Sequence, residues 1–261
     1  MIEQTWNKVK TFKKLYITVY LLLFQNEFTL RLIIVSIFQI WPIFYCSYFA
    51  YRLLKRAKNR STYILSGYFI ITALTYFLAT LSTYLVATPI SYFIYVISIY
   101  FFVFSFCFLI NFSWLLTKLD EKSCNTTFFL RVTFYAILSL FVIIIGIPFN
   151  GITLNASTGN IPTYSLFFLG FSWAYILFFY IIPQIYFSLK ILKIYEGIVL
   201  KRRINMFIIS VFLGLLVAVF MFLYNTWTEN VIFRTIYLFI IPELGTYAGY
   251  LIYKGFGKEL D

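Results

Sequence analysis

Seven stretches of the chain are long and apolar enough to cross a lipid bilayer, and this constrains the fold more than any other feature. They cover about 32–51, 62–86, 91–116, 128–149, 164–189, 205–225 and 232–253. A helix needs about 20 predominantly apolar residues to span the hydrocarbon core. Barrel strands would instead alternate apolar and polar residues over about 10 positions. Only 11% of residues are charged, whereas a soluble domain carries about 25%. The expected fold class is all-α: a polytopic membrane protein with a seven-transmembrane-helix bundle over 31–261 and a short N-terminal interfacial amphipathic segment over 1–30.

Lysine and arginine set the expected orientation. Arg52, Lys55, Arg56, Lys58 and Arg60 follow the first stretch, and Lys118, Lys122 and Arg131 flank the connection after the third. Lys190, Lys193, Lys201, Arg202 and Arg203 follow the fifth, and Lys254 and Lys258 follow the seventh. Connections 87–90 and 150–163 hold no basic residue. The N-terminus is expected outside and the C-terminus in the cytoplasm, in a multi-pass protein of the cell membrane. The segment "KVKTFKKLYITVYLLLF" departs from this pattern, with four lysines ahead of ten apolar residues at 15–24. No small-residue cleavage site follows it. As a helix those ten residues rise only about 15 Å. The segment reads as a helix over 5–27 lying in the outer interface, with a re-entrant piece as the rival reading.

Missing residue types exclude several chemistries. The chain has no histidine, which removes imidazole metal ligation and the histidine general base. Cys46 and Cys107 fall in the first and third stretches and Cys124 in a connection expected to be cytoplasmic, so no external disulfide is expected. No Gly-rich phosphate loop or paired intramembrane aspartates occur. Neither an enzyme, a metal nor a cofactor is expected. The net charge of +12 reads as topology and attraction to an anionic inner leaflet, worth about 1 kcal/mol per basic residue, and not as nucleic-acid binding.

Glu243, in "IIPELGTYAGY", is the one acidic residue deep within a predicted span. Thr246, Tyr247, Tyr250 and Lys254 share its helical face, while Gly245 and Gly249 occupy the reverse face as a small-residue pair. A charged side chain at the midplane costs about 2.5–3.5 kcal/mol on insertion scales, so Glu243 is expected to turn inward. Pro42, Pro183 and Pro242 each lie near a polar residue: Gln39, Gln184 and Glu243. A proline frees the carbonyl four residues earlier, and that carbonyl needs a partner. The expected interior ligand site is lined by Glu243, Gln184, Trp173, Trp41, Gln39 and Tyr247, with Glu243 its charged or proton-sharing member. Trp114 and Trp227 read as interfacial anchors.

The cadence of "YRLLKRAKNRSTYILSGYFI", "NFSWLLTKLD", "IIPQIYFSLKILKIYEG", "LKRRINMFIISVFLG" and "YLIYKGFGKEL" resembles seven-span proteins of archaea. It is similar, more loosely, to the seven-helix sensor region that precedes histidine kinases. The resemblance implies sensing of a ligand or membrane state, with output through spans 5–7 and the 190–204 connection to a signalling partner. Separately, "PQIY" at 183–186 followed by "EG" resembles the signature of PQ-loop transporters. That implies, as the alternative, a small-solute carrier of 3+1+3 architecture using Glu243 and Gln184. A third reading is a structural subunit forming a homo-oligomer through Gly245 and Gly249.

Overall fold

The computed structural model describes residues 27–56, 59–85, 88–118, 125–154 and 161–257. Among these residues seven long helices run in order: α1 Glu27–Arg56, α2 Arg60–Tyr84, α3 Ile90–Leu116, α4 Asn125–Gly146, α5 Leu166–Ile194, α6 Ile198–Thr226 and α7 Val231–Ile252. Six of them, α2 to α7, are long and apolar enough to cross a membrane. The chain is therefore an all-α, multi-pass membrane protein. Residues 1–26, with most of the expected interfacial segment, lie outside the described residues. The first described helix includes Glu27, which belongs to the segment set apart at 1–30.

Each helix packs on the next, and α7 returns to α1, closing a ring with α3 drawn in against α2, α4 and α5. Small side chains let α3 approach its neighbours closely. Ser91, Ser98 and Ser105 recur every seventh residue and are all buried. Ser98 and Ser105 return their hydroxyls to their own helix, at Tyr95 O and Phe102 O, while Ser91 donates across to Ser82 O on α2. Gly67 of α2 does the same work on the facing side, where a Cβ would stand 2.7 Å from the Phe108 ring.

The closure between α1 and α7 has a direction. A Cβ on Gly249 would lie 3.2 Å from the Tyr45 ring, and one turn further Phe49 stacks on Tyr253 at 4.7 Å. Both contacts advance along the two chains together, so α1 and α7 run parallel. At the same end, the π-helical turn Tyr253–Gly257 folds under the bundle and brings Phe256 against Phe112 and Phe207, at 5.2 and 5.5 Å.

Helix boundaries follow local chemistry. The end of α4 comes at Gly146, earlier than the hydropathy limit near 149, where the Gly151 amide donates to the Gly146 carbonyl. A short antiparallel pair, β1 Ile152–Thr153 and β2 Thr163–Tyr164, then leads into α5. Ser165 caps α5 by accepting from the Phe168 amide. The basic 190–204 region is helical on both sides of a tight turn at Tyr195–Gly197, where Gly197 takes φ 104. That left-handed conformation suits glycine.

Candidate functional site

Gln184 is a fully buried polar anchor inside the bundle. It is 0% exposed, its Oε1 accepts from Ser113 Oγ of α3 at 3.0 Å, and its Nε2 donates to Ser188 Oγ at 3.3 Å. Immediately before it, α5 widens into a π-helical turn at Leu177–Ile181, where the Ile182 amide reaches back to Leu177 O. Pro183 explains the widening: its ring crowds the preceding turn, and it offers no N–H to Phe179 O, four residues earlier. Tyr135 of α4 supplies the missing donor, its hydroxyl lying 3.3 Å from that carbonyl. The bend in α5 is thus held from the side by α4 and α3.

Further polar groups gather around this bend. The hydroxyls of Ser139, Tyr175 and Tyr180 stand in a triangle with 3.4 Å sides. Ser139 donates to Tyr135 O at 2.8 Å, so its lone pairs face the two tyrosines. One turn from Tyr135, Arg131 Nε donates to Asn111 Oδ1 at 3.0 Å, and the guanidinium lies over Trp114 at 4.7 Å and Phe187 at 5.5 Å. Asn111 in turn donates to Cys107 O. A guanidinium over an aromatic face gains about 0.5–1 kcal/mol when exposed and about 2 when desolvated, and half-buried Arg131 lies between the two. The sum is a polar seam linking α3, α4 and α5 through the apolar bundle.

The seam continues to the basic turn. Tyr195, at the end of α5, donates its hydroxyl to Leu116 O at 2.8 Å. This ties the α5–α6 turn to the last residue of α3. Beyond it, Lys190, Lys193, Lys201 and Arg202 are exposed, and Ile198 is 90% exposed.

The six residues expected to share one site are dispersed. Gln184 belongs to the seam. Gln39 lies between α1 and α2, accepting from Thr80 at 3.2 Å, and Trp173 donates its indole N–H to Val219 O of α6 at 3.1 Å. Glu243 is exposed on the outer face of α7, Tyr247 is 53% exposed and Trp41 60% exposed. Glu243, Tyr247, Tyr250 and Lys254 do share one face, but the helix turns it outward. The buried face instead carries Ile241, Ala248, Gly249, Leu251 and Ile252. Close packing decides this, because Gly249 is the residue that admits Tyr45. The small pair is likewise split: Gly249 is used within the bundle, whereas nothing lies within 4 Å of a Cβ placed on Gly245. Trp114, expected as an interfacial anchor, is 9% exposed beneath Arg131.

The sequence did not single out Asn111, Ser113, Tyr135, Tyr175 and Tyr180, and Arg131 stood out only as a topology signal. One signal for them existed: the proline at 183 demanded a donor for Phe179 O, and a buried tyrosine on a neighbouring helix is a natural one. Among the described residues no group of His, Cys, Asp and Glu side chains is placed to hold a metal ion. No protein-family model, curated protein or solved structure matches this chain.

Proposed function

We propose that the chain is a seven-crossing sensor or receptor-like membrane protein, with its N-terminus outside and its C-terminus in the cytoplasm. A ligand or membrane-state change alters the bend of α5, and the α5–α6 turn presents the change to a cytoplasmic or membrane partner. The observation that carries this reading is the Tyr135 contact to Phe179 O beside Pro183. A carbonyl freed by proline has two ways to be satisfied, by the neighbouring helix or by a rearranged turn, and hinges are built from such few-residue choices. The parallel course of α1 and α7 supports an odd number of crossings. Basic residues at the α5–α6 turn support its cytoplasmic placement.

The outward Glu243 leaves the transporter reading without the carboxylate that was to share a path with Gln184. The test of the sensor reading is co-purification. A partner retained by the intact chain and lost on neutralising Lys193, Lys201 and Arg202 together supports it. Solute uptake by liposomes containing the purified chain alone, unaffected by those three changes, would overturn it in favour of transport.

A further inference from the structure

We propose that a groove between α2, α3 and α4 binds one anionic phospholipid, with its headgroup phosphate at Arg60. The groove holds about 550 Å3 and is lined by Arg60, Tyr63, Ile64, Phe108, Phe128 and Phe129. Arg60 lies at the level of Trp114 and Phe128, with its guanidinium 5.9 and 5.0 Å from their rings. Phe108 precedes Trp114 by six residues on α3, so it sits about 9 Å deeper along the helix axis. The groove therefore runs from a cation at the helix ends down an aromatic and aliphatic trough, the shape of a headgroup followed by an acyl chain.

Its depth comes from Gly67. With no side chain there, the Phe108 ring folds onto α2, and a Cβ at that position would meet it at 2.7 Å. Because α2, α3 and α4 are each long and apolar enough to cross a membrane, acyl chains are what lies beside the groove. Charge complementarity selects an anionic headgroup. Arg131 stands on Trp114 within the same cluster, and Arg52, Lys55 and Arg56 are exposed at the same end of the bundle.

Native mass spectrometry of the full chain, titrated separately with dioleoyl phosphatidylglycerol, dioleoyl phosphatidylcholine and inorganic phosphate, tests this. Phosphatidylglycerol should bind about fivefold more tightly than phosphatidylcholine, the factor expected for one basic residue at a membrane surface. Arg60→Gln should remove that preference and Arg60→Lys should keep most of it. Gly67→Ala should weaken both lipids by driving the Phe108 ring into the trough, which reads the groove on a second residue if Arg60→Gln fails to fold. Glu229→Gln, an exposed residue between α6 and α7 at the opposite end of the bundle, should change nothing. Equal binding of the two lipids, an unchanged preference in Arg60→Gln, or unchanged lipid binding in Gly67→Ala would overturn the proposal. Inorganic phosphate binding as tightly as phosphatidylglycerol would overturn it too, by marking a free-anion site.

Discussion

The Tyr135 hydroxyl of α4 donates to the Phe179 carbonyl of α5 across 3.3 Å, and Pro183 is the residue that leaves this carbonyl without its usual helical donor. Tyr135→Phe removes only the donor and should destabilise the bundle by about 1–3 kcal/mol, the cost of stranding a buried acceptor. Pro183→Ala restores an N–H in α5. The double variant should therefore lose less than the two single changes summed. Unfolding in detergent of the four proteins measures this coupling, and simple additivity would mean that Tyr135 and Pro183 act independently.

Ser113 and Gln184 join α3 to α5 at 3.0 Å. Interhelical side-chain hydrogen bonds in membranes average about 0.6 kcal/mol, with a maximum near 1.7. Ser113→Ala should fall at the upper end of that range, because Gln184 Nε2 keeps Ser188 while the buried Oε1 loses its donor. Gln184→Leu should cost less than the loss of both contacts implies, since it removes the buried amide as well. Thermal unfolding midpoints of both variants give the comparison.

A Cβ on Gly255 would stand 3.2 Å from the Arg203 carbonyl, and backbone gives way less readily than a side chain. Gly255→Ala should push the C-terminal turn off α6 and loosen Phe256 from Phe112 and Phe207. The expected loss is about 1–3 kcal/mol, as for other overpacked sites. Faster trypsin cleavage after Lys254 is the direct readout; an unchanged rate would show that the turn absorbs the methyl group.

Outward Glu243 makes an unusual prediction for a carboxylate in a predicted span. Glu243→Leu should be tolerated and should favour membrane insertion, by up to about 2.5–3.5 kcal/mol, the penalty insertion scales assign to comparable charges. A glycosylation-based insertion assay on α7 measures it. Loss of folding in this variant would show that the carboxylate has a partner the outward face does not provide.

Hydropathy located the seven long helices of the described residues because length and apolarity are properties of a segment by itself. Which face of each helix turns inward was not legible. Lipid and protein interior are both apolar, so Ile236, Phe239 and Ile240, which are exposed, read no differently from Ile241, Leu251 and Ile252, which are buried. The choice is made by pairs, such as Gly249 with Tyr45, that no single stretch contains. The demand for a donor to Phe179 O could be read from Pro183, whereas the donor's identity depended on how α4 packs. Arg131 looked like a flanking topology signal and proved to be tied inward by Asn111 and Trp114.

A spin-label distance across the α5 hinge tests the relay itself. Labels at Val199, beyond the hinge, and at Thr126, the start of α4, are both exposed. The inner arm of α5, Ile182–Ile194, has 13 residues and is about 20 Å long. A kink change of about 20°, the scale typical at proline, moves its tip by about 7 Å. Pulsed dipolar measurement in nanodiscs should show the 126–199 distance shifted or split by several ångströms in Tyr135→Phe relative to the unaltered contact. A single unchanged distance in the two proteins would mean that the Tyr135 bond does not govern the turn, and the proposed relay would fall.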